Sequence, residues 1–484
     1  MSGRKYVSRR SFLRGSAIFA GAAALAACGA TPTPQVIKEV VTQVVEREVT
    51  KVVAGTPQIV KETVVVENVV TATPEVAPPT PTRAPGEKIK LVFEWPQYTP
   101  EKTRYGEYII KTYMDKHPDV QLEPMYNTNP TEKLTIAIAG GTPPDCGWFG
   151  AGWPEFFRRF LVLDDYIQRD SAEVKYDEFF PKLQGATQWM GKHQVMPMGF
   201  TCTLMYFNKD LFKASGATLP TDSWTWDDLM EAGKLIAKPD QNIYALILSM
   251  GSWWAESFYA GPWWDEQAKK STFYSDLRVK MIQLYKDVWN KDKIAPPAAV
   301  EQEQGAMPMF QAGKVGMFAG GSWALEPFRK VEFDWDIVPL PIMKWTGGDK
   351  RGTGMWTEEL FIMDTSKYKE DAWQFVKWAS GTELLTWAAD QGHVVPGRQP
   401  IAESGAFVKT TQKPANIKAF LVSAEFAVPA SLHPAASKVQ KAIGDPVSSF
   451  FAEEEKLNAD EATKQASDAL QAVLDEWWAK EGGA

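Results

Sequence analysis

The sequence predicts an α/β protein built as two lobes, and three observations carry that prediction. Strand-like and helix-like segments alternate from Ile89 to Phe149, the composition changes abruptly at Glu87, and nearly 400 residues follow that change. A region of that size exceeds the length at which one hydrophobic core stops growing. All 20 tryptophans and all 4 histidines lie within it. Ile89–Trp95 reads as a strand and Glu101–Lys116 as a helix; His117-Pro118-Asp119 turns the chain into a second strand at Val120–Met125. A second helix, Thr131–Ala139, is ended by Gly140-Gly141, and a third strand follows at Asp145–Phe149. This alternation builds a mostly parallel sheet. Ligands of such sheets bind at the loops that follow the strands, so Trp95–Tyr98 and Trp148–Trp153 are candidate pocket loops. Farther on, Tyr244–Leu248 is an apolar strand and Asp460–Trp478 a final amphipathic helix, whose Trp477 and Trp478 are expected to be surface packing.

Residues 1–27 have the marks of an export leader. Ser8-Arg9-Arg10-Ser11-Phe12-Leu13-Arg14 resembles a twin-arginine signal, and Leu25-Ala26-Ala27-Cys28 resembles a lipobox, whose cysteine is lipidated once the leader is removed. The apolar run from Ala17 to Ala27 is 11 residues, far short of the ~20 needed to span a bilayer. Cys28 is therefore the expected lipidation site and membrane anchor, which places the protein outside the cytoplasm on the cell membrane. Residues 28–87 are expected to form a mostly disordered spacer: 31–86 contain no aromatic residue and loosely repeat Val-rich units such as Val36–Val41, Glu48–Val53 and Ile59–Val64. Val-rich sequence is a poor helix former. As a coil the spacer would average roughly 40 Å end to end, enough to hold residues 88–484 clear of the membrane.

Removing the five basic leader residues, Arg4, Lys5, Arg9, Arg10 and Arg14, takes the formal net charge from −8 to −13. Such an acidic chain lacks the basic face that a nucleic-acid partner needs. Beyond Cys28 only Cys146 and Cys202 remain, which permits one disulfide but no disulfide framework. The scattered histidines form no His-Glu-x-x-His, and Gly191-Lys192, Gly233-Lys234 and Gly313-Lys314 all lack the Ser or Thr of a phosphate loop. No metal or other cofactor is expected.

The residues from Lys88 to Glu476 resemble the extracellular solute-binding proteins of ABC importers, particularly the carbohydrate-binding branch. The likeness is carried by Lys116–Leu122, Ala139-Gly140-Gly141-Thr142-Pro143-Pro144-Asp145 and Leu163–Ile167. Its most specific part runs from Met196-Pro197 through Met205–Phe212, Gly216 and Pro220 to Thr225-Trp226-Asp227-Asp228-Leu229. Gly313–Met317, Gly321-Ser322-Trp323, Val338–Pro341 and Asp371–Phe375 extend it toward Arg398. The resemblance implies the two-lobed periplasmic-binding-protein fold, a hinge closing on a small solute, and delivery to the permease subunits of a transporter by a monomer. It implies three crossings between lobes, near 196–204, 335–341 and 393–398. Lobe one is then 88–195 with 342–392, and lobe two 205–334 with 399–484.

A sugar needs aromatic faces for its C–H surfaces and polar partners for its buried hydroxyls. Trp323 is the leading ligand candidate, because Gly321-Ser322-Trp323 matches the strand-end motif at which carbohydrate-binding members of the family carry a stacking tryptophan. Trp253 and Trp254 follow the strand Tyr244–Leu248, and an extended chain would present only one of them to the cleft. Trp356 lies in a Gly-rich approach to a strand, and Trp95 and Trp148 in the candidate loops. The polar candidates are Asp145, Glu358 in preference to its neighbour Glu359, and Arg398. Two enzyme readings compete with solute binding. Gly320-Gly321-Ser322-Trp323-Ala324 nearly matches the nucleophile elbow of a serine esterase, but ends in Ala where Gly is required. A secreted glycoside hydrolase would need two carboxyl groups flanking a bound sugar.

Overall fold

The computed structural model describes the backbone of residues 38–53 and 56–71, and residues 88–481 apart from 98, 151, 249–258, 410, 431–432 and 453–456. The chain divides into two units, Met1–Arg83 and Ala84–Ala484.

Within the first unit, β1 (Lys38–Val53) and β2 (Thr56–Thr71) pair antiparallel from Lys38↔Thr71 to Val53↔Thr56. This corrects the expectation of a mostly disordered spacer for these residues. The valine, isoleucine and threonine that disfavour a helix favour extended chain, and the Pro-rich stretches lie outside the paired register.

The second unit begins with the expected alternation: β3 (Ile89–Pro96), α1 (Pro100–Lys116), β4 (Val120–Asn127), α2 (Pro130–Ala139) and β5 (Cys146–Gly150). Both helices start with Pro in the first turn behind a side-chain cap, Thr99 accepting from the Lys102 N–H and Asn129 from the Glu132 N–H. The chain continues through β6 (Val195–Cys202), β7 (Leu204–Asn208), α3 (Trp226–Ile236), β8 (Tyr244–Leu248), α4 (Asp276–Asn290), β9 (Val315–Gly320), β10 (Trp335–Val338) and β11 (Thr353–Ile362). The Thr225–Asp228 stretch singled out in the sequence is a complete capping box at the start of α3. The remaining elements used below are β12 (Val395–Pro396), β13 (Ala427–Pro429), α5 (Ala436–Phe451) and α6 (Ala459–Glu481).

Lobe one is a seven-stranded sheet ordered β12-β6-β11-β5-β3-β4, with β13 alongside the start of β11; lobe two is a four-stranded sheet ordered β8-β9-β7-β10. β3 pairs in parallel with β4 and β5, whereas β11 runs antiparallel to β5 and β6. The C-terminal ends of β3, β4, β5 and β6 therefore share one edge with the N-terminal end of β11.

The chain passes between the sheets at three adjacent places. The first is Thr203, between β6 and β7. The second lies later than expected, because β10 belongs to the small sheet and Ile342 still bridges Thr225 of lobe two. Lobe one thus resumes with β11, at Thr353 instead of residue 342. The third is not at His393–Arg398: β12 is an edge strand of the large sheet, and β13 pairs with Thr353–Met355. The chain leaves lobe one only after Pro429, so 399–429 belongs there and not to lobe two. The Thr203 N–H donates to the Gly354 carbonyl at 3.3 Å, and the Thr353 hydroxyl to the Thr203 carbonyl at 2.5 Å. These bonds stitch the first two crossings together, the arrangement a hinge requires. α5 and α6 pack with α4 on lobe two around Ile282, Val439, Ile443 and Leu470. Cys146 and Cys202 are both buried and free.

Candidate functional site

The edge where the strand ends meet collects four of the expected residues in two groups. The first group is centred on a residue the sequence reading missed, Lys102. The cap on α1 sets Lys102 in its first turn, directly after the C-terminal end of β3. Its ammonium lies 2.5 Å from Oε2 of Glu358 and 4.2 Å from the centre of the Trp148 ring. The Trp148 Nε1–H donates to the same carboxylate oxygen at 3.1 Å. Glu358 thus gathers a cation and an indole donor while its side chain remains 18% exposed. Its neighbour Glu359 faces the opposite side of the sheet, fully buried with neither carboxylate oxygen hydrogen-bonded, and burial pushes its carboxyl up to about 8.

Trp323 and Trp356 form the second group, at the crossing. Trp323 sits in a single turn, Ser322–Ala324, directly after β9 and is 40% exposed. The Tyr206 hydroxyl donates to the Gly321 carbonyl at 2.6 Å, and the Ser322 N–H donates to the Thr201 hydroxyl at 2.7 Å. A Cβ on Gly321 would stand 2.0 Å from the Trp323 ring and 2.6 Å from the Thr201 oxygen; only glycine lets the indole fold back over the hinge. Thr201 is also the register partner of Trp356 on β11. Trp356, half-buried, packs against the lobe-two core around Met205 and Met343. It lies two residues before Glu358, about 7 Å along the strand, so the two groups adjoin.

Two ion pairs extend this edge across the lobes. Arg104 of α1 meets Glu326 at 2.7 Å, and Lys330 reaches Glu101 at 3.5 Å. Beneath them His393 stacks on Tyr105 with ring centres 5.0 Å apart. Burial, reinforced by the positive charges of Lys102 and Arg104, pushes the His393 imidazole down to about 4.

Three expected ligand residues are placed elsewhere, each for a definable reason. Trp95 has no exposed surface; its Nε1–H donates to the Lys102 carbonyl at 2.7 Å and α1 presses on it at Gly106, where a Cβ would come within 2.4 Å of the ring. It is a core residue supporting Lys102 from below. The Asp145 carboxylate is consumed by the Val92 N–H at 2.9 Å and the Ser366 hydroxyl at 2.7 Å, so it fastens β5 to β3. Arg398 is buried and spends its guanidinium on the carbonyls of Val174, Lys175 and Ser380, the Glu178 carboxylate and the face of Phe179. It pins lobe one internally, with four of its five N–H donors used and only 2% of its surface exposed, out of reach of a solute. Trp253 and Trp254 lie outside the described residues, as does Cys28.

Trp477 and Trp478 are both half-buried. Trp477 packs edge-on against His433 and Trp189, and Trp478 lines a cavity of about 970 Å³ shared by both lobes. None of the expected ligand residues lines that cavity. No group of His, Cys, Asp and Glu that could hold a metal occurs among the described residues.

Comparisons with known proteins agree with this architecture. Residues 97–384, more than half of the chain, match the family described as bacterial extracellular solute-binding protein. The arabinooligosaccharide-binding protein of Bacillus subtilis is 27% identical over 309 residues, covering 61% of this chain and 66% of that protein. The mannitol-binding protein of Pseudomonas aeruginosa is 21% identical over 329 residues, covering 62% and 72%. Among solved structures, the ABC substrate-binding protein of Listeria monocytogenes in complex with cycloalternan superposes with a TM-score of 0.72 at 19% identity, over 80% of this chain and 100% of that one. A solute-binding protein of Thermotoga lettingae bound with alpha-D-tagatose gives 0.68 at 20% identity, over 80% and 100%. These relatives and neighbours are substrate-binding proteins, not enzymes, and their two-lobed fold is the fold of this chain. The chain belongs to the bacterial extracellular solute-binding protein family.

Proposed function

We propose that this protein captures a carbohydrate between its two lobes and delivers it to the permease of an ABC importer. The observation that carries the reading is the pairing, on one edge, of an exposed indole at the hinge with a carboxylate held by Lys102 and Trp148. Trp323 offers an apolar ring face, and Glu358 offers an acceptor for a hydroxyl. The relatives named for mannitol and arabinooligosaccharide, and the neighbours solved with cycloalternan and tagatose, support the same solute class. The protein acts as a monomer held outside the cytoplasm by a lipid on Cys28, after export by the twin-arginine leader. No helix among the described residues is long and apolar enough to cross a membrane, so on this reading the lipid is the anchor.

The test is a thermal-shift and calorimetric panel of mannitol, tagatose, arabino-oligosaccharides and malto-oligosaccharides on the mature chain. A ligand at 100 times its dissociation constant stabilises the native state by ~2.7 kcal/mol. A panel in which no carbohydrate raises the melting temperature would overturn the solute class, and release of free sugar from an oligosaccharide would favour the hydrolase alternative.

A further inference from the structure

The cavity of about 970 Å³ has its own walls, away from the edge that holds Lys102, Glu358 and Trp323. On β5, Trp148 belongs to the cluster with Trp95 and Tyr105, whereas its neighbour Phe149 points to the other face of the sheet, among Trp153, Phe156 and Phe361. Trp189 packs on that second face and is one wall of the cavity. Lobe one adds Met190 and the β13 residues Val428 and Pro429, and lobe two adds Trp264 and Trp478. The volume is at the upper end of the range for small-molecule sites.

Several polar groups in these walls already have partners, whereas the indole N–H of Trp189 is buried without one. Lys182 donates to the carbonyls of Ala424, Glu425 and Ala427. Gln188 binds the Gln184 carbonyl and His193. The Asp265 carboxylate accepts from the Lys269 N–H, and the Trp478 Nε1–H donates to the Ala268 carbonyl. The remaining charged residues of the lining, Glu266 and Lys269, are exposed to solvent, and walls made mainly of indole, methionine, valine and proline favour a neutral occupant.

An independent sign comes from the turn that carries Met190. Gln188–Trp189 and Lys192–His193 form a tight hairpin whose two central residues, Met190 and Gly191, have φ of 51° and 74°. A turn with two positive φ values is ordinarily made by Asn-Gly. Here its first position holds a methionine that is 55% exposed. Left-handed backbone is unfavourable for such a residue, and an exposed thioether beside indoles is a common adaptable contact for apolar ligands.

We propose that this cavity is a second ligand site, for an uncharged, ring-bearing apolar molecule, and that its occupancy biases the angle between the lobes. The walls belong to different lobes, so an occupant fits one lobe angle better than another and shifts the hinge equilibrium by that difference. The site does not depend on the carbohydrate reading. The experiment titrates the mature chain, without sugar, with the neutral fluorescent probe N-phenyl-1-naphthylamine. Saturable one-to-one binding is expected. Met190→Asn, which suits the turn, and Trp478→Ala are each expected to weaken it at least tenfold with the melting temperature retained, and Trp323→Ala to leave it unchanged. Non-saturable uptake, an affinity that neither cavity variant moves, or an equal loss in Trp323→Ala overturns the site. Small-angle scattering at saturating probe should register a changed radius of gyration, and an unchanged radius overturns the coupling to the hinge.

Discussion

Replacing Trp323 by Ala tests the carbohydrate site where its geometry is most specific. The indole is 40% exposed, which for a side chain of about 250 Å² leaves roughly 100 Å² for a sugar to cover. At about 25 cal/mol per Å² that surface is worth about 2.5 kcal/mol, so Trp323→Ala should weaken binding of the carbohydrate found by the panel by roughly 70-fold. Stability without ligand should fall by much less than the ~3–5 kcal/mol of a core tryptophan truncation, since Gly321, the Tyr206 hydroxyl and the Thr201 hydroxyl hold the turn without help from the ring. Isothermal titration calorimetry beside ligand-free melting separates the two roles. Unchanged affinity with a collapsed melting temperature would show that Trp323 is packing and refute the stacking assignment.

Three further outcomes are expected. Glu358→Gln removes the charge that pairs with Lys102 and weakens the acceptor for a hydroxyl, so calorimetry should record a loss of about 1–3 kcal/mol in carbohydrate affinity; binding equal to wild type would exclude Glu358 from the site. Arg398→Met should lower unfolding free energy by about 3 kcal/mol, because Glu178 and three carbonyls lose their donor, while carbohydrate affinity stays within twofold; a selective loss of affinity would return Arg398 to the ligand. Glu94 and Glu359, both pushed up to about 8 by burial, keep protons in the folded state that the unfolded chain has released above pH 4.5. Each should therefore cost about 1.4 kcal/mol of stability per pH unit as pH rises from 4.5 toward 8, and denaturant melts of Glu94→Gln with Glu359→Gln should flatten that decline or the assignment fails.

The elements of lobe one were legible because each obeys one local rule: apolar strands, a capped helix opened by Pro100, a helix closed by Gly140-Gly141. The crossings were less so. A two-residue strand such as Val395-Pro396 has no periodicity to say which sheet it joins, and only its pairing with Phe200 and Gly199 places it in lobe one. The Val-rich spacer carries a mixed signal, because the β-branched side chains that disfavour a helix also favour strands. At the site, chemistry alone did not rank the candidates. Asp145 and Arg398 have the right groups, but those groups are used up by Val92, Ser366, Val174 and Ser380, partners remote in sequence. Lys102 had a usable signal: Thr99-Pro100 marks a helix start immediately after a strand that ends at the cleft, and first-turn side chains of such a helix overhang the strand ends.

The carboxylates on this edge explain why one of them is suited to a solute. Glu94, Glu358 and Glu359 all lie in one sheet, on β3 and β11 at either side of β5, yet their surroundings differ. Glu94 is buried with only the Asn127 amide at 2.5 Å, and its second oxygen is unpaired. Glu359 is buried without a cation. Desolvation of the charged form dominates in both and keeps them protonated near neutral pH. Glu358 alone has an ammonium at 2.5 Å and partial exposure, so it is the one that meets the cleft with a charged hydrogen-bond partner already beside it. Successive side chains of β11 point to opposite faces of the sheet, which sends one carboxyl toward the cleft and the other into the core; the register shift beside them leaves Met198 of β6 unpaired, since Glu358 faces Gly199 and Glu359 faces Pro197. Binding chemistry at this edge therefore follows from backbone pairing first and residue type second, since the same glutamate one position along is a neutral core residue.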